Sequence, residues 1–279
     1  MTNEMNSFID QAIQNLEVPT SIEITNEAIN QFKRGMDKTN EYRGHPHELL
    51  DGLDEFEKTG CLPLFYGGLA YIQCVGSYIE GMRFDADGLR SAEGWLAKAL
   101  EIKDDLPELM VVQAMININS GNLGTASDLL DRIDQVSSNN FYAITARMDY
   151  YAMRNNKAQM ASMHHKALPL AMTTSRRAYL QHRVGRYYLR FKMVDQSIEC
   201  YTDLVKLTPL DPWMWHNLSI AYLLEGMLIN AWKSNRMALK IMDFGNARDI
   251  KKSIQKRIFL QIAKYIFYVI LAVIVVSNR

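Results

Sequence analysis

Residues 215–239 read WHNLSIAYLLEGMLINAWKSNRMAL, and the order in which their large and small side chains alternate decides the fold. Trp215, Leu218 and Tyr222 lead to Gly226, and Ala231, Ala238 and Leu239 follow it. A shift of 34 residues toward the amino end lands on Gln181, Val184, Tyr188, Lys192, Ser197, Leu204 and Val205, with Gly185 directly after Val184 and Pro209 closing the unit. Self-similarity at such a fixed period marks a chain built from stacked supersecondary units.

The series Trp-x-x-Leu, Tyr, Gly, Ala and closing Pro, shared between these two copies, resembles the tetratricopeptide repeat (TPR). The resemblance implies two antiparallel helices per unit. Small residues such as Gly185, Ala231 and Ala238 then stand where helices approach closely, and Trp215, Tyr188 and Tyr222 fill the core between them. On that packing, Tyr222→Ala is expected to cost on the order of 3 to 5 kcal/mol. Upstream, Ala167 and Leu168 with Tyr151 mark a further unit, Ala114, Gly121, Ala126 and Leu130 another, and Ala92, Leu96, Ala99 and Leu100 a second helix before that. The likeness covers residues 61–245. Asn235 replaces an aromatic, Asn117 stands where Tyr151 has its ring, and Ser219 replaces the glycine. The run Cys61 to Gly81, with Pro63, Gly67 and Gly68, is too long for a first helix of the pattern.

Outside the repeats, residues 1–60 show no period. Phe8, Ala12, Ile13 and Leu16 share one helical face, as do Ile24, Ala28, Ile29 and Phe32. Arg43 to Pro46 read as a turn before a third helix from His47 to Glu57. No Ser/Gly/Pro-rich linker follows, so this helical region is expected to pack on the array. With no strand pattern in the chain, the fold class is all α: a TPR-like solenoid at 61–245 with an N-terminal helical region at 1–60.

At the carboxyl end, Ala247, Ile250, Ile254 and Ile258 recur at helical spacing and predict a basic capping helix at 246–257 that runs on into an apolar segment. Residues 258–276 contain only Gln261 and Lys264 as strongly polar side chains and have a mean hydropathy of roughly 2.4. A helix of that length spans about 28 Å, close to a hydrocarbon core. Lys264 is expected to snorkel toward the near interface beside Tyr265 and Tyr268. Arg248, Lys251, Lys252, Lys256 and Arg257 flank it, and basic flanks stay on the cytosolic side. The expectation is a single-pass transmembrane helix, a C-terminal anchor with the N-terminal domain in the cytosol. The other reading is an apolar helix packed in a groove of a neighbouring copy or a partner. Met1 to Asn15 lack the basic-then-apolar order of a secretory signal.

The whole chain of 279 residues carries 31 basic and 31 acidic side chains, so no global field recruits nucleic acid. The ends differ: 1–60 hold 12 acidic and 5 basic residues, 248–264 hold 6 basic and 1 acidic. Cys61, Cys74 and Cys200 form no close pair and read as buried thiols of a reducing compartment. No phosphate cradle or nucleophile elbow is present, so neither an enzyme nor a cofactor is expected. His45 with His47 and His164 with His165 read as solvated histidines rather than metal ligands; His164 and His165, at successive helix positions, point about 100° apart.

The constellation that does suggest binding is Arg183, Arg186 and Arg190, whose spacing puts three guanidinium groups on one side of a first helix. In TPR proteins that side faces the concave groove. His182 and His216 are then equivalent positions, and Tyr179 is nearby. Such a groove suits an acidic peptide or a chain-end carboxylate; the alternative is a solvated or internally paired face, with Asp149 as the partner. The Lys and Asn set that similar proteins use to hold heat-shock chaperone tails is missing. The sequence therefore points to a membrane-tethered scaffold that holds a protein partner, or to a chaperone or assembly subunit of secretion or pilus type. It leaves the oligomeric state open.

Overall fold

The computed structural model describes residues 2–14, 16–42, 46–79 and 83–277, with backbone alone for 2–6, 46, 269 and 271–277. Helices account for most of it, and among the described residues there is no strand, only the isolated bridges Ser21 with Cys61 and Tyr78 with Phe84. The turn expected at 43–46 lies outside the described residues but for the backbone of Pro46. Two compact units divide the chain between Leu180 and Gln181.

The first unit begins with α1 (Thr2–Ile13), α2 (Asn26–Thr39), a 3-10 turn at Pro46–Leu49 and α3 (Leu50–Glu57). It continues through α4 (Leu62–Gly76), α5 (Ala86–Ile102), α6 (Pro107–Asn119), α7 (Leu123–Val136), α8 (Phe141–Met153) and α9 (Lys157–Ala167), and ends within α10 (Thr174–Arg190). Side-chain caps start many of these helices: Thr25 accepts from the Ala28 amide, Asp85 from Gly88, and Asn140 from Tyr142 and Ala143. Antiparallel pairs follow one another, α4 on α5, α6 on α7 and α8 on α9, and each first helix packs on the next.

Residues 26–57 belong to the same scheme. Helices α2 and α3 form a further hairpin that packs on α4. The sequence hides this pair because glycine replaces alanine at its crossings: a Cβ at Gly35 or Gly68 would overlap the Phe56 ring, and one at Gly52 would overlap the Thr39 hydroxyl. Gly67, likewise, makes room for Leu109. The glycines that seemed foreign to a first helix at 61–81 are thus contact points, and that helix ends at Gly76.

The second unit holds the rest of α10, α11 (Val194–Leu207), α12 (Pro212–Glu225), α13 (Leu228–Ile241) and α14 (Gly245–Ser277). Asp211 caps α12 by accepting from the Trp213 amide, Pro212 occupies its first turn, and Gly226 ends it in the left-handed region at φ 83°. Ser219 explains its own departure from the repeat. Its hydroxyl donates to the Ala231 carbonyl at 3.0 Å, and at the equivalent pair 34 residues earlier, Gly185 and Ser197, the Ser197 hydroxyl donates to the Gly185 carbonyl at the same distance. One hydroxyl bridges the two helices of each hairpin, from α12 in one case and from α11 in the other.

Trp215 is only partly buried, and its indole N–H donates to the Pro209 carbonyl at 2.8 Å, so it clamps the loop before α12 rather than filling the core. Tyr222 is also half-exposed, packed with Ile250 and Ile258 on the cluster of Leu223, Leu228, Ala231 and Ile254. Its truncation is accordingly expected to cost less than the loss for a fully buried ring.

The repeat register shows most clearly where first helices end. Gly121, Asn155, Lys192 and Gly226 all have positive φ, at 83°, 57°, 58° and 83°. In each case the amide of the next residue reaches back to a carbonyl five positions earlier: Asn122 to Asn117, Asn156 to Tyr151, Met193 to Tyr188 and Met227 to Tyr222. This is a Schellman ending. Asn117 thus holds its place through its carbonyl, without the aromatic ring. A left-handed lysine costs about 1–2 kcal/mol, and glycine gives back about 0.4–1 kcal/mol through the unfolded chain. Lys192→Gly should therefore raise stability by about 0.5–1 kcal/mol. A denaturant midpoint that falls would mean the lysine side chain holds the turn.

Helix α14 is continuous from Gly245 to Ser277. Ala247 and Ile254 are fully buried against α13 and α12, whereas Phe259, Leu260, Ile262, Tyr265, Ile266, Phe267, Tyr268 and Ile270 are all exposed. Among the described residues no helix is long and apolar enough to cross a membrane. The transmembrane helix expected at 258–276 falls partly outside them, since no side chain is described at 269 or 271–276.

Candidate functional site

In the first unit, one side of α2 meets one first helix after another. Lys33 pairs with Glu108 of α6 at 3.2 Å, and the Tyr71 hydroxyl of α4 donates to Asn40 at 2.7 Å. Asp37 is the centre of the set. It accepts from Arg176 Nε at 2.9 and 3.1 Å and from the Tyr142 hydroxyl, while the Ser175 hydroxyl donates to its backbone carbonyl at 3.1 Å. The Arg176 guanidinium also lies 5.6 Å from the Phe141 and Tyr142 ring centres, and Tyr179 packs on both rings.

Burial, then the charge of Asp37, push the Tyr142 phenol well above its ordinary range. Burial opposes the charge on Arg176, but the hydrogen bond and charge of Asp37 outweigh it and raise its pKa. The arrangement is a carboxylate held by an arginine and a tyrosine among aromatic rings, and the carboxylate is the chain's own. Sequence reasoning missed it, because Asp37 is 105 residues from Tyr142 and 139 from Arg176. The spacing of Lys33 and Asp37 on one side of α2 was the sole local sign.

The arginine row expected on α10 lies in its second half. His182, Arg183 and Arg186 are half-buried, and Arg190 is exposed with its guanidinium 5.9 Å from the Phe191 ring centre. Val184, Tyr187, Tyr188 and Phe191 are buried on the other side. Tyr179 belongs to the first unit and is buried. Asp149 is buried in that unit too.

His216 is buried in the second unit with Trp213 and Phe244 around its ring, at 6.1 and 5.3 Å between centres. Burial lowers its pKa to about 4, so it adds no positive charge near neutrality. His164 is buried as well, not solvated: burial, then the charge of His165, bring it to about 4. His45 lies outside the described residues. Among the described residues no group of three or more His, Cys, Asp or Glu is placed for a metal ion.

The five basic residues before the apolar segment divide by role. Arg257 donates to the Leu223 carbonyl at 2.7 Å and so ties α14 to the end of α12. Arg248 faces Asp243 at 3.6 Å and Lys252 faces Asp249 at 3.1 Å. Lys251 and Lys256 are exposed. Beyond them the Lys264 ammonium stands 5.7 Å from the centre of the Tyr268 ring, one turn further along α14 rather than back toward Arg257.

The stacked hairpins, their shared Schellman turns and the small residues at their crossings define a TPR-like all-helical solenoid. Two solved structures share the architecture. A chain of the APC/C hetero-tetramer Cut9–Hcn1 superposes with a TM-score of 0.56 at 13% identity, over 91% of this chain and 46% of that one, so the chain spans less than half its length. PilF of Pseudomonas aeruginosa superposes with a TM-score of 0.53 at 14% identity, over 74% of this chain and 91% of that one. No protein-family model and no curated protein matches the sequence. At such low identity the likeness is one of fold.

Proposed function

We propose that the protein is a scaffold of TPR type, tethered to a membrane by α14 with its helical array in the cytosol, that binds an acidic segment of a protein partner along α10. The observation that carries the tether is the exposure of apolar side chains on every side of α14 after Ile258, on a helix whose first turns are packed on the array. A helix buried by one groove keeps a polar side. Gln261 and Lys264, three positions apart, share one side of the first turns of the apolar run, but from Tyr265 to Val276 the sequence has no strongly polar residue and so offers no polar side. One of the similar structures is a hetero-tetramer, which accords with use as a protein-binding surface.

The carboxylate-binding chemistry of Arg176 and Tyr142 is taken up by Asp37. The reading for a partner rests instead on the spacing of Arg183, Arg186 and Arg190, which puts three guanidinium groups on one side of α10 in a form suited to charge-assisted contacts with carboxylates. Fractionation of the full chain and of a version ending at Arg257 tests the tether. Retention of the full chain alone after carbonate, with release by detergent, is the expected result. Equal extraction of both would instead favour an assembly subunit whose apolar helix packs on protein. For the partner row, charge reversal at Arg183 and Arg186 should abolish capture of an acidic peptide library at unchanged helicity.

A further inference from the structure

The turn between α12 and α13 presents an apolar surface at the point where α14 leaves the array. Leu224, Met227 and Ile229 are 53%, 43% and 70% exposed, and Trp232 follows one turn along α13 with Arg236 over its ring. The turn is fixed to α14 at the start of its apolar run. Arg257 donates to the Leu223 carbonyl, and Ile258 packs on the cluster containing Leu223 and Leu228. The turn is thus held next to the point where the exposed apolar run of α14 begins at Phe259.

The equivalent turn 34 residues earlier is less apolar: Arg190 and Asp195 stand in place of Leu224 and Ile229, and Met193 corresponds to Met227. Single exposed apolar residues call for no explanation, but three around one turn, beside a helix that is apolar on every side, do. The neighbouring charges include Lys233, Arg236, Lys251 and Lys256 against Glu225 and Asp249, a basic excess that suits an anionic leaflet. Tryptophan at the edge of such a patch suits the headgroup level.

We propose that Leu224, Met227 and Ile229, with Trp232 beside them, enter the headgroup and acyl boundary of the lipid surface that receives α14. The last hairpin then rests on the membrane and does not swing freely on a helical stalk. This contact rests on the tether reading. The occupant is lipid because the turn is held next to the start of the apolar run of α14, which no single groove covers.

The test uses the full chain with an environment-sensitive fluorophore at one introduced cysteine, Ile229→Cys, Ile266→Cys or, as reference, Asp195→Cys. The native Cys61, Cys74 and Cys200 are buried and should remain unlabelled. Each protein is reconstituted into phosphatidylcholine vesicles containing phosphatidylserine and a lipid-borne quencher at shallow depth. Quenching at 229 and 266 severalfold above that at 195 is the expected result, and Leu224→Cys should repeat it. Quenching at 266 with 229 no different from 195 leaves the tether standing and overturns the contact. No quenching at 266 or 229 overturns both. A spectral change at 229 that depends on protein concentration without vesicles assigns the surface to a second copy and also overturns the proposal.

Discussion

Phe56→Ala is expected to destabilise the first unit by about 3–5 kcal/mol, the range for removing a large ring from a core. Phe56 is fully buried on α3, with Phe32 at 5.2 Å and Tyr71 at 6.5 Å between ring centres. Its site is unusually unable to collapse, because Gly35 and Gly68 flank it and have no side chains to move into the void. The same geometry predicts how a second change behaves. Gly35→Ala alone forces a Cβ against the ring atoms of Phe56 and should cost about 1–3 kcal/mol by overpacking. In the Phe56→Ala background that methyl enters empty space, so the double variant should be more stable than the sum predicts, by about 0.5–3 kcal/mol. Urea melts of the four proteins read this directly. Strict additivity would show that the α2–α3–α4 packing is not as described and that residues 26–57 do not share a core with the array.

That hairpin also shows why part of the fold was illegible. The repeat could be read at 181–241 because Tyr188 and Tyr222, with Lys192 and Gly226 four residues on, mark the end of each first helix. At 26–57 the same architecture uses glycines around an inserted aromatic ring, and the familiar alanines are missing. Substitution at one repeat position was compensated at another in a way no single helix displays: Ser219 is acceptable because its hydroxyl finds the Ala231 carbonyl. Aromatic size misled for Trp215, whose work is a hydrogen bond to Pro209 and not burial.

Among the candidate residues, only arrangements local in the chain were legible. Arg183, Arg186 and Arg190 follow from helical spacing, whereas Asp37 with Tyr142 and Arg176 depends on three helices meeting. Arg257 looked like one more membrane-flanking charge until its contact with the Leu223 carbonyl placed it in the fold. Charge patterns report composition along the chain, but which cations are structural depends on what each one reaches.

Acid should weaken the second unit through His216. Its folded pKa of about 4 lies below the ordinary 6.5, so below the ordinary value the unfolded chain takes up a proton that the folded chain refuses. The contribution of the neutral ring to stability is complete above about pH 6.5 and is lost as pH falls toward 4. At pH 5 the loss is about 2 kcal/mol, an order-of-magnitude value from the linkage relation. Its Nδ1 is buried without a hydrogen-bond partner among the described residues, and the ring stands between Trp213 and Phe244. His216→Phe keeps a ring there and removes the titration. Between pH 7 and pH 5 this variant should therefore lose less stability than the parent by about 2 kcal/mol in urea melts. Parallel pH dependences of the two proteins would mean that His216 charges freely in the folded state, and that the Trp213–His216–Phe244 cluster opens to water at neutral pH.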